Sequence, residues 1–135
     1  MNGNCFIDTN ILVYCYTDDE PDKSKKALSV TDTPNAFIST QVLNEFANTL
    51  RKKFDFEWNK IELTLSEVSA GFNVYVNKPA TIEQACRIAD KYKFSFYDSL
   101  VITAALLCNC TTLYSEDMQH GRLIENKLKI VNPFM

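Results

Sequence analysis

The sequence predicts an α/β fold in which a mostly parallel sheet is covered by helices on both faces. Short apolar segments, each long enough for one strand, alternate along the chain with longer segments that carry apolar residues at helical spacing. This alternation is typical of strand–helix–strand crossover units, which build parallel sheets with two buried faces. The chain has 135 residues, 46% of them hydrophobic, which suits one domain with a substantial core. We therefore expect a single domain over residues 1–135.

Five short apolar segments are predicted to be strands. Each is bounded by polar or turn-forming residues, as expected for strands buried inside a sheet. The segments are "CFI" at 5–7, "NAFIS" at 35–39, "NVYV" at 73–76, "TTLYS" at 111–115 and "LKIV" at 128–131.

Four segments between these strands have helical features. "DDEPDKSKKALSV" at 18–30 places acids and Pro21 in its first turn and lysines after them, as the helix dipole favours. "SFYDSLVITAALLC" at 95–108 is apolar nearly all round, which predicts a largely buried helix. The other two predicted helical stripes are Leu43, Phe46, Ala47, Leu50 and Phe54, followed by Trp58, Ile61, Leu65 and Val68.

The segment "ATIEQACRIADKY" at 80–92 is predicted to be a further helix with a capping box. Thr81 would be the capping residue and Gln84 would reach back to it, three positions later. The apolar face of this helix would then consist of Ile82, Ala85, Cys86 and Ala89.

Composition excludes several classes of function and compartment. The net charge of −3 provides no general basic surface, so a polyanionic ligand would need local lysines or a metal ion. No apolar run approaches the roughly 20 residues of a membrane span, and "MNGNC" lacks the features of a signal peptide. The five cysteines are odd in number and scattered, which favours reduced core residues over disulfides or a zinc site. We expect a cytoplasmic protein without membrane association.

Four carboxylates occupy related places in the predicted order of elements. Asp8 follows the first strand and Asp117 follows the fourth, while Glu45 and Asp98 lie near the starts of helices. In open parallel sheets, ligands bind beyond the carboxyl ends of the strands. These four acids are therefore candidates for one shared site.

Each acid also has a structural explanation that needs no ligand. Ser95 and Asp98 have the spacing of a capping box, and Asp117 fits a turn or a helix cap. Glu45 lies opposite the apolar stripe of its helix, which is typical of a solvated face. Asp8, between two apolar runs, is expected to be partly buried, with Thr9 or Asn10 as hydrogen-bond partners.

A convergent carboxylate cluster would require a cation. Neighbouring carboxylates raise each other's pKa and cannot all ionise without one. An oxygen-only ligand set favours Mg²⁺ or Mn²⁺ over zinc. A divalent ion held in this way binds phosphate oxygens and activates water, so phosphodiester hydrolysis is the reaction class that best uses this arrangement.

The segments around these acids resemble the four acidic motifs of the PIN domain family, and most of all the small toxins of bacterial VapC-like toxin–antitoxin modules. The segments are "FIDTNILVY", "STQVLNEFANTL", "FSFYDSLVITAALLCNC" and "TLYSEDMQHG", in that order. The resemblance implies a three-layer α/β/α, Rossmann-like sandwich and a magnesium- or manganese-dependent endoribonuclease. It also implies a homodimer, a single-stranded or loop RNA substrate and a cognate antitoxin.

The resemblance also assigns roles to residues. Asp8 and Asp98 would be the principal metal ligands, and Glu45 and Asp117 would complete the acidic cluster and help to position the attacking water. Asn10 and Ser115 match small polar positions that orient the carboxylates. The fourth motif, "SEDMQHG", departs from many relatives; Asp117 fits its spacing better than Glu116. His120, the one histidine, is expected to make a loop hydrogen bond.

Substrate contacts are left open by the sequence. Two groups of basic residues, Arg51 to Lys53 and Lys23 to Lys26, are typical of solvated helix faces, although those near the site would suit an RNA backbone. The aromatic residues at 94, 96 and 97 are expected to pack in the core, with base stacking as the alternative.

Other functions are compatible with part of the pattern. The alternatives are a non-catalytic PIN module that binds RNA or protein, and a housekeeping RNA-processing nuclease. Against the first, a binding surface for phosphates gains nothing from clustered negative charge. An aspartyl phosphotransferase would need a second aspartate where Asn10 stands, and "CFI" is not followed by the acidic pair of a receiver domain.

Overall fold

Six strands form one sheet in the computed structural model, which describes residues 3–135. The strands are β1 (Asn4–Ile7), β2 (Ala36–Ser39), β3 (Asn73–Tyr75), β4 (Cys110–Tyr114), β5 (Leu123–Ile124) and β6 (Leu128–Val131). The helices are α1 (Thr9–Tyr16), α2 (Pro21–Thr31), α3 (Thr40–Lys52), α4 (Trp58–Gly71), α5 (Pro79–Tyr92) and α6 (Phe96–Leu107).

The strand order is β3-β2-β1-β4-β6-β5, and every pairing except that of β5 with β6 is parallel. β1 and β4 are central neighbours, with Ile7 level with Tyr114. Their carboxyl ends therefore lie side by side. This confirms the predicted α/β class, with a mostly parallel sheet in a three-layer α/β/α arrangement. The two-residue strand β5 is too short to have been recognised from its sequence pattern.

The core lies on both sides of the central strands. Phe6 and Ile7 point to opposite faces of β1, as successive strand residues do, and both are fully buried. In α6, seven consecutive residues from Ser99 to Ala105 are buried, which confirms the prediction that this helix is largely buried. Polar ligands in such a fold are confined to the ends of the strands, where loops reach solvent.

Helix α5 differs from its prediction in both its cap and its buried face. It begins at Pro79, and Thr81 is the third helical residue, whose hydroxyl accepts a hydrogen bond from the Lys78 backbone N–H at 3.2 Å. Proline at the first position already has a helical φ, so the helix starts before Thr81. The buried residues are Thr81, Ala85 and Ile88, whereas Ile82 is exposed. The predicted face was rotated by one residue because α5 packs against α6 through that other stripe.

Three other expectations about burial are wrong. Trp58 begins α4 and is 62% exposed, although Ile61 and Val68 of the same stripe are buried. Phe96 and Tyr97, in the first turn of α6, are also exposed, whereas Phe94 packs partly against the core. All three exposed residues lie in the first turn of their helix, which neighbouring elements do not cover.

The cysteines are all free thiols, as their scattered positions predict. Cys5 and Cys110 are buried, but Cys86 is exposed and is therefore not the core residue that was expected. Within residues 3–135, the structure contains no helix that is both long and apolar enough to cross a membrane.

Candidate active site

Asp8 lies at the point where β1 gives way to α1. Its backbone N–H donates to the carbonyl of Tyr114, which joins the ends of the two central strands. Its side chain caps α1 by accepting a 2.8 Å hydrogen bond from the backbone N–H of Thr9. The residue is only 6% exposed. The cap explains why Asp8 stabilises the helix, but it occupies only one of the two carboxylate oxygens.

The second oxygen of Asp8 is held by Ser115, the residue that follows β4. Ser115 is fully buried, and its Oγ donates to Asp8 Oδ2 at 2.7 Å. The same Oγ accepts from the backbone N–H of Met118 at 3.3 Å, so it also shapes the loop that carries Asp117. Ser115 thus joins the Asp8 carboxylate to the loop that carries Asp117.

Asn10 connects the first and fourth acidic segments. Its Nδ2 donates to Asp117 Oδ2 at 3.0 Å, with a longer contact of 3.5 Å to Asp8 Oδ2. Its Oδ1 accepts from the backbone N–H of Glu116 at 3.1 Å. One amide side chain therefore holds the loop after β4 against the start of α1.

Glu45 is half-buried rather than solvated, contrary to the expectation from its helical stripe. Its Oε1 accepts a hydrogen bond from Thr9 Oγ1 at 2.9 Å. The helical pattern describes only the face of α3 that packs on the sheet, and α1 covers a second face of α3. Thr9 is a site residue whose contact with Glu45 had no signal in the sequence, because the two residues are 36 positions apart.

Asp98 lies in the first turn of α6. Ser95 caps this helix by accepting from the Asp98 backbone N–H at 3.2 Å. A hydrogen bond from the Ser95 side chain also acts on the Asp98 carboxylate and opposes the rise in its pKa, so the helix cap accounts for part of the environment of that side chain. Since α6 leads back into β4, its first turn lies at the carboxyl ends of the strands.

All four predicted acids line one pocket of about 360 Å³ at these carboxyl ends. The structure therefore brings together side chains from four separate parts of the chain. The remaining lining residues are Thr9, Asn10, Val13, Tyr14, Asp19, Glu20, Thr49, Lys53, Phe54 and Glu116.

The electrostatics of the pocket disfavour ionised carboxylates. Burial, followed by repulsion from Glu45 and Asp98, raises the pKa of Asp8 to about 6, although hydrogen bonds from Ser115 and Thr9 oppose this. Burial and repulsion also raise the pKa of Glu45 and the pKa of Asp98. A bound cation would favour the ionised form of all three.

The donor set fits a hard divalent cation, since every candidate ligand is an oxygen. Within residues 3–135, however, no three side chains of His, Cys, Asp or Glu form a ready-made metal site. The four acids surround the pocket, and they would have to approach one another to share an ion.

Glu116 has a different environment from its neighbour Asp117. Its carboxylate accepts a 2.7 Å hydrogen bond from the Tyr14 hydroxyl and pairs with the ammonium of Lys23. Burial opposes the ionised form, but these two donors outweigh it and lower the pKa of Glu116. This pairing ties the loop to α2 and leaves Asp117 as the acid of this loop that Asn10 orients towards Asp8.

His120 does not line the pocket. Its Nδ1 accepts from the backbone N–H of Asn132 at 2.9 Å, which is the kind of loop hydrogen bond that was predicted.

Several known structures have the same fold as this chain. A toxin–antitoxin complex from Klebsiella pneumoniae aligns with a TM-score of 0.72 at 21% identity, covering 96% of this chain and 98% of that chain. VapC20 of Mycobacterium tuberculosis, described as a sarcin–ricin-loop-cleaving toxin, aligns with a TM-score of 0.68 at 15% identity, covering 82% and 87% of the two chains. VapBC2 of Rickettsia felis, bound to a promoter DNA fragment, gives a TM-score of 0.68 at 15% identity, covering 95% and 98%.

At these identities the likeness establishes the fold alone, and no curated protein matches the chain significantly. The PIN domain model, however, matches residues 5–125. That range includes all four acids and the elements from β1, apart from its first residue Asn4, to β5. The chain therefore belongs to the PIN domain family.

Proposed function

We propose that the chain is a metal-dependent endoribonuclease and the toxin of a toxin–antitoxin pair. The observation that carries this proposal is the pocket in which Asp8, Glu45, Asp98 and Asp117 meet at the carboxyl ends of the strands. Membership of the PIN family and the fold shared with VapC20, a toxin that cleaves the sarcin–ricin loop, support it.

Asp8 and Asp98 are the principal ligands of Mg²⁺ or Mn²⁺ in this proposal. Glu45 and Asp117 complete the acidic cluster, and Asn10 and Ser115 hold Asp117 and Asp8 in place through the hydrogen bonds described above. The raised pKa values of Asp8 and Asp98 indicate negative charge that a bound cation would compensate. The all-oxygen donor set suits Mg²⁺ or Mn²⁺.

The chemistry divides between the ion and the protein. When bound, the ion supplies a Lewis acid for the phosphate oxygens and lowers the pKa of a coordinated water. Glu45, half-buried and held by Thr9 Oγ1, orients the attacking water and accepts its proton. Asn10 holds Asp117 beside Asp8, because its amide nitrogen contacts both carboxylates.

The proposed partners follow from the same family. The substrate is single-stranded or loop RNA, and a cognate antitoxin blocks the site in the cytoplasm. The functional form is a homodimer. A structure from Klebsiella pneumoniae that shares the fold is a toxin–antitoxin complex, which supports an antitoxin partner for this chain.

Replacement of Asp98 by Asn tests the nuclease assignment. We expect the wild-type chain to cleave single-stranded RNA with Mg²⁺ or Mn²⁺, and not with a chelator, and Asp98→Asn to lose at least about 100-fold in rate because a principal ligand is removed. Cleavage is measured on end-labelled RNA by gel electrophoresis.

Asp90→Asn is the matched control for this experiment. The same Asp-to-Asn change is made here on the surface of α5. The Asp90 side chain is 91% exposed and does not line the pocket. Its variant should cleave at the wild-type rate. Equal activity of Asp98→Asn and Asp90→Asn would remove the acidic pocket from the reaction.

Expression in bacteria separates a toxin from a housekeeping nuclease. The unblocked, soluble chain should arrest growth, Asp98→Asn should not, and co-expression of the cognate antitoxin should restore growth. RNA cleavage in vitro without growth arrest would favour the housekeeping alternative. Binding of RNA that is metal-independent, without cleavage, would favour the non-catalytic alternative.

A further inference from the structure

The acidic pocket creates an electrostatic problem for a polyanionic substrate. Among the residues that line it, seven are acids and the single cation is Lys53. One divalent ion offsets only two of these negative charges, so RNA phosphates outside the metal site need positive charge from the protein. The chain as a whole, with a net charge of −3, does not provide it.

Lys53 is placed to contact the RNA backbone at the rim of the pocket. Glu45, Thr49 and Lys53 are spaced four residues apart, so they follow one another along the same face of α3 and its C-cap, and all three line the pocket. Lys53 is exposed and forms no ion pair within residues 3–135. Its ammonium is therefore available to a phosphate.

An exposed tryptophan follows Lys53 along the chain. Trp58, the one tryptophan of the chain, is 62% exposed and lies outside the core cluster. The guanidinium carbon of Arg51 lies 5.7 Å from the centre of its ring, and Arg51 Nη1 donates to the Phe56 carbonyl at 3.1 Å. Trp58 thus presents a planar surface beside a positive charge, which suits a nucleic-acid base.

A groove runs from the acids to neighbours of Trp58 in sequence, namely Phe54, Phe56 and Lys60, while Trp58 itself lines neither pocket. A second pocket of about 580 Å³ shares Asp19 and Phe54 with the acidic pocket and is lined further along by Phe56 and Lys60. The ammonium of Lys60 lies 4.2 Å from the ring centre of Phe56. The facing wall includes Asp18 and Asp19, and the one basic residue that lines this second pocket is Lys60.

We infer that residues 51–60, the basic–aromatic segment, bind single-stranded RNA next to the bond that is cleaved, with Lys53 on a phosphate and Trp58 stacked on a base. Arg51, Lys52, Lys53 and Lys60 outnumber Asp55 and Glu57, so the segment is locally positive in an acidic chain. Stacking on an aromatic ring does not depend on which base is bound, so the exposed ring of Trp58 can accept any base. This inference rests on the proposed function and names the surface that holds its substrate.

Tryptophan fluorescence tests the inference without any mutation. Because the chain has one tryptophan, stacking of a base on Trp58 should quench the intrinsic emission as a single-stranded RNA oligonucleotide is titrated in chelator, where no cleavage occurs. Adding salt should reverse the quenching, since phosphate contacts release counterions.

Variants assign the contributions of the two residues, with binding to labelled RNA followed by fluorescence anisotropy. Lys53→Ala should weaken binding several-fold and reduce the slope of log affinity against log salt by about 0.7. Trp58→Ala should weaken it by about 5- to 150-fold, and Trp58→Phe by less, because stacking is worth about 1–3 kcal/mol per base. Thermal denaturation should show that every variant is folded.

Lys127→Ala is the matched control. Lys127 is an exposed lysine that directly precedes β6, so it lies at the amino ends of the strands, away from the site, and its removal changes the net charge by the same amount. Its RNA affinity should equal that of the wild type within about twofold, because a distant charge is screened by salt.

The outcomes separate the inference from the proposed function. If the wild-type chain cleaves RNA but Lys53→Ala and Trp58→Ala bind RNA as the wild type does, the segment is not the RNA surface and the nuclease assignment stands. If the wild-type chain neither binds nor cleaves RNA, both fail. Quenching of Trp58 by a co-expressed antitoxin but not by RNA would assign the segment to a protein partner and overturn the inference.

Discussion

Asp8→Asn tests whether the pocket is built at the expense of stability. The pKa of Asp8 is raised from 3.8 to about 6, chiefly by burial. Two pKa units correspond to about 3 kcal/mol by which the ionised carboxylate destabilises the folded chain at neutral pH. Asparagine removes this charge but mismatches one of the three hydrogen-bond donors around Asp8, which costs about 1–2 kcal/mol.

We therefore expect Asp8→Asn to be more stable than the wild type in the absence of metal at pH above 7. The net gain in the free energy of unfolding is about 1–2 kcal/mol, which corresponds to a rise in Tm of about 3–6 °C for a chain of this size. The measurement is urea denaturation in chelator, with thermal denaturation as a second probe. Mg²⁺ or Mn²⁺ should raise the Tm of the wild type and leave that of the variant unchanged.

The contribution of Asp8 to the stability of the folded chain depends on pH. Because the folded-state pKa of Asp8 is above the unfolded value of 3.8, the folded chain binds more protons between these values. The Asp8 contribution to stability is therefore full below pH 4 and is lost as the pH rises through about 6. The stability difference between Asp8→Asn and the wild type should be small or negative at pH 4 and should reach its maximum above pH 7.

Asp90→Asn again serves as the control, because Asp90 is exposed and its replacement should leave stability unchanged at each pH. A wild-type chain that is more stable than Asp8→Asn in chelator above pH 7 would refute the reasoning. That result would mean that hydrogen bonds to the Asp8 carboxylate outweigh the effect of its burial.

Two further substitutions test the supports of the fold and the site. Ser115→Ala removes the 2.7 Å hydrogen bond to Asp8, so we expect a loss of about 2 kcal/mol in the free energy of unfolding, measured by denaturation. We also expect a higher pH for half-maximal Mn²⁺ binding, measured by calorimetry. Unchanged values for both would contradict the positioning role of Ser115. Thr81→Val removes the oxygen that accepts from the Lys78 backbone and bonds the Tyr75 hydroxyl, at a cost of about 1–2 kcal/mol. Thr64→Val, at a solvated position of α4, is the control and should change stability by less than about 0.5 kcal/mol; similar losses for the two variants would show that the Thr81 contacts are not responsible.

Local sequence patterns are enough to indicate the class of the fold and the positions of the four acids along the chain. Apolar strands such as "CFI" and the continuous apolar segment of α6 are local patterns, because burial on two sides needs no partner to be recognised. An acid at the exit of β1 and another beyond β4 are likewise visible in the order of residues. For this reason the sequence alone indicates Asp8, Glu45, Asp98 and Asp117 as candidates for one site.

Only the tertiary structure decided which faces are buried and which side chains meet. The buried stripe of α5 is the one that contacts α6. Trp58, at the start of α4, is exposed although it has the same helical spacing as the buried Ile61 and Val68. The contact of Asn10 with Asp117 spans 107 positions, and that of Thr9 with Glu45 spans 36. Such contacts arise from strand order and helix packing, which bring together residues that share no local pattern, and the pKa of Asp8 follows from that packing.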